Sequence, residues 1–419
     1  MIKSPRAILA LLTALNLLNY VDRFVVTAVG LRIQEHLGLS DKELGFVTSA
    51  FMLGYFVTSP VFGWLGDRFP RKTLIAAGVL VWSAATAASG LAATLASLLA
   101  ARVVVGVGEA SYATLSPTII DDVAPAAKKN RWLGVFYVAI PAGSALGFIL
   151  GGQLEHRYGW RNAFFIAGGP GVLLALVALL LHEPPRALAQ TNDERGVVAS
   201  FLDDTRALAR SRSYVLTVAG YIAQTFALGG FVQWAVPFLY RKHCLDMHVA
   251  DDAFGKLAVL TGLIGTGIGS LVAERVPGED RVRAALWVCA ISSAVATPLA
   301  VFAILAPTST SFLVLLGLCE LAVFASMAPT NLAILKSVPE ERRASAMALS
   351  IFLIHLLGDM ISPPIVGTVS DAFRDSKAQC TSSAGLFWGM LLLPVALALS
   401  AAFWFVGVRR TNPAPSSSS

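Results

Sequence analysis

Charge is what this sequence has least of. Asp, Glu, Lys and Arg make up 14% of its 419 residues, against roughly 25% in an ordinary soluble domain. That is too few to cover the surfaces of the two or three soluble domains such a length would form. Cysteine is as sparse. The four, at 244, 289, 319 and 380, show no metal-ligand spacing. Cys244 and Cys380 both fall in loops of the second half and are expected as free thiols in preference to a disulfide. No G-x-x-x-x-G-K-[ST] loop occurs, which excludes direct drive by ATP, and Gly106-x-Gly108 follows no strand, which excludes a dinucleotide loop. These gaps argue against a soluble enzyme, a disordered scaffold and a nucleic-acid binder. No metal site and no cofactor is expected.

Apolar residues are abundant at 56%. A spanning helix takes about 20 of them, so they fill roughly twelve spans. Runs of that length fall near 7–30, 43–64, 74–92, 95–120, 132–153 and 160–182, and again near 213–240, 254–273, 283–305, 311–336, 343–368 and 384–408. The first run lacks a small-residue cleavage site and is followed by more spans, so it reads as a mature helix and not a signal peptide. The two halves are weak repeats. Gly152-x-x-Glu155 ends the fifth span and Gly367-x-x-x-Asp371 the eleventh; Gly63 and Asp67-Arg68 end the second, and Gly269 and Glu274-Arg275 the eighth. The expected fold is an all-α membrane protein with twelve transmembrane helices in two pseudo-symmetric six-helix bundles, residues 1–182 and 213–410. Residues 183–212 form the linker and 411–419 a disordered tail. Within the linker Val197, Val198, Phe201, Leu202 and Leu208 recur at helical spacing opposite Asp203, Asp204, Arg206 and Arg210, which predicts an amphipathic helix on the membrane surface.

Most of the 32 Lys and Arg gather in the loops that share a face with the amino terminus, among them Arg71, Lys72, Lys128, Lys129, Arg131, Arg281 and Arg283. The positive-inside rule then places both termini in the cytoplasm, in the cell (inner) membrane. It also accounts for the net charge of +6 without nucleic acid.

Six charges fall inside spans: Asp22 and Arg23 in the first, Arg102 and Glu109 in the fourth, Glu320 in the tenth and Asp359 in the eleventh. Unpaired, they would cost on the order of 15–20 kcal/mol together, so they must pair, line a water-filled path, or both. Asp22 and Glu109 both fall near the middle of the membrane by their depth in the span, and Arg102 lies two turns from Glu109 on one helical face. The first half holds two bases; the second holds Glu320, Asp359 and His355, with His355 and Asp359 at i,i+4 pairing distance. An anionic group is therefore expected on the first bundle, at Arg23 or Arg102. If the arginine turns to that anion, Glu109 is left in oil without its partner and is disposed to take a proton. Structural ion pairing alone is the plainer alternative.

The loop Gly63-Trp64-Leu65-Gly66-Asp67-Arg68-Phe69-Pro70-Arg71-Lys72 resembles the G-x-L-x-D-R-x-x-R-K signature of the major facilitator superfamily, with Pro70 where Gly is usual. By that resemblance Gly63, Gly66, Asp67, Arg68 and Arg71 form a conformational latch and do not bind substrate. Small glycines there allow close helix contact, and Arg68 and Arg71 can pair with nearby acids. Asn19-Tyr20-Val21-Asp22-Arg23-Phe24, the string from Arg102 through Gly106-Val107-Gly108-Glu109-Ala110-Ser111-Tyr112 to Ile120, Phe136-Tyr137 with Ile140-Pro141, Glu183-Pro184-Pro185-Arg186, and His355-Leu356-Leu357-Gly358-Asp359 with Ser362-Pro363 resemble the Spinster branch of that superfamily. The short amino-terminal tail suggests a bacterial member. The resemblance implies a secondary transporter of lysolipids or sphingoid lipids such as sphingosine 1-phosphate, a monomer working by alternating access with protons as coupling ion. Asp22, Arg23, Arg102 and Glu109 would form the headgroup and proton site, faced by Glu320, His355 and Asp359. A carrier of small organic anions or drugs, or a lipid sensor without flux, are the alternatives.

Of the weaker signals, Gly143, Gly147 and Gly151 in the fifth span fit either a smooth sliding surface or simple tight packing, and Gly106-x-Gly108 could loosen the fourth. Phe226, Phe231, Trp234 and Phe238 could meet an acyl tail or simply pack. His36, His156, His182, His243 and His248 are dispersed and take no role.

Overall fold

The computed structural model describes residues 2–183, 197–275, 281–373 and 384–410. The expected tail 411–419, the stretch 184–196 of the expected linker, and Cys380 lie outside them. The described residues fold almost wholly into helices, twelve of them long and apolar enough to cross a membrane. Each coincides with one of the expected runs, most to within a few residues, while the eighth starts earlier, at Met247. The chain divides into two compact units, the first of Met1–Leu188 and Leu239–Val259, the second of Ala189–Phe238 and Leu260–Ser419.

In the first unit the chain runs through α1 (Pro5–Ala28), α2 (Gly30–Leu37), α3 (Asp41–Arg68), α4 (Arg71–Ser89), α5 (Leu95–Val123), α6 (Lys129–Tyr158) and α7 (Trp160–Ala178). Ser40 starts α3 with a capping box, its side chain accepting from the Glu43 amide while Glu43 accepts from the Ser40 amide. Thr94 and Ser97 do the same for α5. α1 packs on α6, α3 on α5, and α4 on both α5 and α7. Trp82, Tyr112, Ile75 and Ile119 fill one core, and Val25, Ile33, Trp160 and Phe164 another. Large side chains such as Val57, Leu173 and Leu176 stay exposed, as suits helices whose outer faces meet lipid.

Glycine sets how closely these helices approach. Gly106 and Gly108 do not loosen α5. A Cβ at Gly106 would lie 2.8 Å from the Tyr55 nitrogen, and one at Gly108 2.8 Å from the Trp82 Cβ, so the pair seats α5 against α3 and α4. Gly143, Gly147 and Gly151 likewise face α1, at Leu17, Phe24 and Ala28. Their stripe packs α6 onto a helix of its own unit.

The second unit holds α8 (Val197–Arg210), α9 (Arg212–His243) and α10 (Met247–Arg275), the last two sharing their Leu239–Val259 portion with the first unit, then α11 (Arg281–Leu305), α12 (Ser309–Ala325) and α13 (Met327–Lys336). α14 (Arg343–Ile354), a π-helical turn at His355–Asp359, α15 (Ser362–Ala372), α16 (Ala384–Met390) and α17 (Leu392–Arg410) follow. The expected amphipathic helix is present as α8. Leu208 is buried with Tyr214, Val218, Ile334 and Ala346, and Asp204 accepts from Ser345 at 2.6 Å and pairs with Arg342 at 3.3 Å. Among the prolines inside spans, Pro117, Pro141 and Pro237 sit in unbroken helices, whereas Pro329 follows the break between α12 and α13, and Pro363-Pro364 follow the π-turn. Without an N–H, Pro363 and Pro364 cannot donate to the turn before them. The Met360 amide bonds instead five residues back, to His355 O at 3.0 Å. Phe231, Trp234 and Phe238 are buried, with Trp234 Nε1 donating to Pro363 O at 3.1 Å, so these three pack the protein interior. Cys244 is disulfide-bonded, which overturns the free thiol expected there.

Candidate functional site

The four charges of the first unit come together. Arg23 on α1 donates to Glu109 Oε2 on α5 through Nε at 3.1 Å, and its Nη2 pairs with the same oxygen. Asp22, the preceding residue, accepts from Trp82 Nε1 of α4 at 3.2 Å. Arg102 lies among them and interacts electrostatically with Glu109, Arg23 and Asp22, yet none of its three guanidinium nitrogens has an acceptor. One oxygen each of Asp22 and Glu109 also lacks a donor. Asp22, Arg102 and Glu109 are fully buried, while 18% of the Arg23 side chain is accessible. Pairing therefore answers part of the cost of burial, and Arg102 is the part left over.

Three aromatic residues that sequence reasoning missed shape this site. The Phe51 ring of α3 lies under both guanidinium groups, 4.7 Å from Arg23 and 5.7 Å from Arg102. Tyr20 and Tyr55 flank Arg23 at 4.8 and 5.8 Å. Rings at such distances attract a cation and are worth more where water is excluded. α1 is held in register by Asn16, which donates to Phe136 O at 3.0 Å, and by Tyr112, which donates to Leu12 O.

The candidates of the second unit form two smaller groups. Glu320 on α12 is buried and accepts from Thr261 Oγ1 on α10 at 2.7 Å. His355 and Asp359 close the expected i,i+4 pair at 2.9 Å across the π-turn. Gly229 of α9 makes room for Asp359: a Cβ there would come 2.6 Å from the Asp359 Cα. Single π-turns of this kind concentrate at functional sites.

The basic loop between α3 and α4 divides in its roles. Gly66 is buried against Leu115, so α3 meets α5 closely there, whereas Gly63 has ordinary room beside Thr114. Gly63 is thus not required for that contact. Asp67 is exposed. Arg68 rests on the Trp64 ring at 4.0 Å and, among the described residues, shows no acidic partner. The buried Arg71 makes the acidic pairs, Nε with Glu183 at 2.9 Å and Nη2 with Asp122 at 2.5 Å, and its Nη1 donates to Thr118 Oγ1 at 2.9 Å. Among the described residues no group of three His, Cys, Asp or Glu could hold a metal ion.

With the geometry in place, comparison with known proteins identifies the family. The profile of the Major Facilitator Superfamily matches residues 12–363. Protein spinster homolog 1 of Bos taurus is 36% identical over 389 residues, covering 88% of this chain and 73% of that protein. The sphingosine-1-phosphate transporter SPNS2 of Danio rerio is 32% identical over 423 residues, covering 96% and 84%. The crystal structure of a bacterial homolog to the human lysosomal transporter Spinster superposes with a TM-score of 0.84 over 98% of both chains at 23% identity, a likeness of fold. The chain is a multi-pass membrane protein and belongs to the Spinster branch of the Major Facilitator Superfamily.

Proposed function

We propose that this protein is a secondary transporter of an anionic amphiphile, a lysolipid or sphingoid phosphate, working by alternating access with the proton as coupling ion. The observation that carries this reading is the buried guanidinium of Arg102, which has no acceptor at any nitrogen. A buried charged donor without acceptors is costly; a phosphate or carboxylate supplies the missing acceptors in a fork geometry that arginine matches. Arg23, the most accessible of the four, meets an entering headgroup first. As it turns to the headgroup it lets go of Glu109, and the released acid takes up a proton because an unpaired carboxylate is unstable in oil. Tyr20, Phe51 and Tyr55 offer apolar surface beside the charge, as an amphiphile requires. The name carried by the zebrafish relative, a sphingosine-1-phosphate transporter, agrees with this substrate class.

The remaining parts of the reading follow the same logic. Both termini face the cytoplasm of the cell (inner) membrane, on the bias of Lys and Arg. The protein acts as a monomer, needs no cofactor and catalyses no bond-making step. The test is flux of defined lysolipids and sphingosine 1-phosphate into proteoliposomes with and without a proton gradient. Gradient-dependent uptake is expected. Binding without flux would make the protein a sensor, and uptake of small organic anions but not lysolipids would replace the substrate class.

A further inference from the structure

A seam in the first unit runs antiparallel between α6 and the start of α10. His156 stacks on His248 with ring centroids 4.2 Å apart, and Phe148 meets Phe254 edge-on at 5.0 Å. Between these two contacts Asp251 is fully buried, and neither of its carboxyl oxygens has a hydrogen-bond donor. Opposite it stands Gly152. A Cβ there would lie 2.7 Å from Asp251 Oδ2 and 2.8 Å from Asp251 Cβ, so the pocket exists because α6 has no side chain at this position.

The charged groups around the pocket supply no counter-ion. Glu155, one turn along α6, carries like charge and repels Asp251. Glu155 is itself paired with Arg32 at 3.2 Å. On α10 the adjacent Asp252 is paired with Lys256 at 2.5 Å. The stacked His156 and His248 are also titratable, and protonating both would force two like charges together. Burying an ionised carboxylate with neither a cation nor a donor is costly enough that such groups neutralise instead.

We propose that Asp251 is a proton-binding site separate from the Asp22–Glu109 site: a neutral acid while α10 lies on α6, and an ionised one when the helices part and water reaches it. Each closure of the seam takes up one proton at Asp251 and each opening releases it to the solvent at that end of α6. The site needs no cargo, so it stands or falls independently of the transported substrate.

Infrared spectroscopy of the full-length protein in lipid nanodiscs tests it directly, with no transport measurement involved. The difference spectrum of wild type minus Asp251→Asn at neutral pH is expected to show the carbonyl stretch of a protonated carboxyl group. Ionised carboxylate bands, or no difference in either region, would overturn the proposal. Gly152→Ala keeps the acid but fills its pocket, and serves also if Asp251→Asn fails to fold. It is expected to lose or shift that band, and an unchanged band would show that the pocket does not hold the proton. Hydrogen exchange over residues 247–254, corrected for the intrinsic pH dependence, is expected to rise severalfold at alkaline pH in wild type and not in Asp251→Asn. Equal rises in both would also overturn it.

Discussion

Arg23 and Glu109 close an ion pair between α1 and α5, while Arg102, two turns before Glu109 on α5, has no acceptor for any guanidinium nitrogen. The arrangement holds two arginines but commits only one to an acid. Replacing Arg102 with Met is therefore expected to raise the thermal stability of the ligand-free protein, because a buried guanidinium with no hydrogen-bond acceptor is removed. The same change is expected to weaken binding of lysolipid phosphate by about 30-fold or more, the scale on which truncating a buried, paired charge acts. Thermal unfolding with and without lysolipid reads both effects. Stabilisation by lysolipid that persists in Arg102→Met would remove this residue from the headgroup site.

Glu109 is the acid that Arg23 would release to a headgroup. Glu109→Gln keeps the shape and an acceptor but cannot ionise. Flux through this variant is expected to lose its response to pH while lysolipid still binds. A proteoliposome series across pH measures this. A profile that tracks wild type would transfer the proton role to Asp22, whose one free oxygen and single bond to Trp82 make it the next candidate.

The twelve spans were legible because a run of about 20 apolar residues has few other uses. Asp22, Arg23, Arg102 and Glu109 were legible because charge in oil is expensive enough to need a reason. Phe51, Tyr20 and Tyr55 carried no such mark, since an aromatic residue in an apolar helix looks the same facing lipid, core or guanidinium. Asp251 was hidden by a boundary. The eighth apolar run begins near 254, which left this acid in a loop, whereas α10 starts at Met247 and buries it. The glycines were visible but their use was not, because a small residue reads alike as a hinge or as a contact. At Gly106 the Phe51 and Tyr55 backbone decides for contact.

Gly106 tests that decision. A methyl group there would lie 2.8 Å from the Tyr55 nitrogen and 2.9 Å from the Phe51 carbonyl carbon, so α3 must move away from α5. Gly106→Ala is expected to cost about 1–3 kcal/mol, the usual penalty of overpacking, and to displace Phe51 from beneath the two arginines. Reversible unfolding in detergent measures the first effect and lysolipid affinity the second. A flexible hinge at Gly106 would predict the reverse ordering, with stability raised or unchanged by alanine.

Arg71 separates fork geometry from charge alone. Its three nitrogens are divided among Glu183, Asp122 and Thr118, so it ties α4 to the end of α5 and to the chain just beyond α7. A lysine can satisfy one of these partners as a point charge but not all three. Arg71→Lys is therefore expected to lose most of what Arg71→Ala loses, about 3–5 kcal/mol for breaking a buried pair, with Asp122 only half-covered and the upper figure reduced accordingly. Thermal unfolding of the two variants side by side decides it. If lysine restored wild-type stability, the loop would need only positive charge, and the division of Arg71 among three partners would have no consequence for the fold.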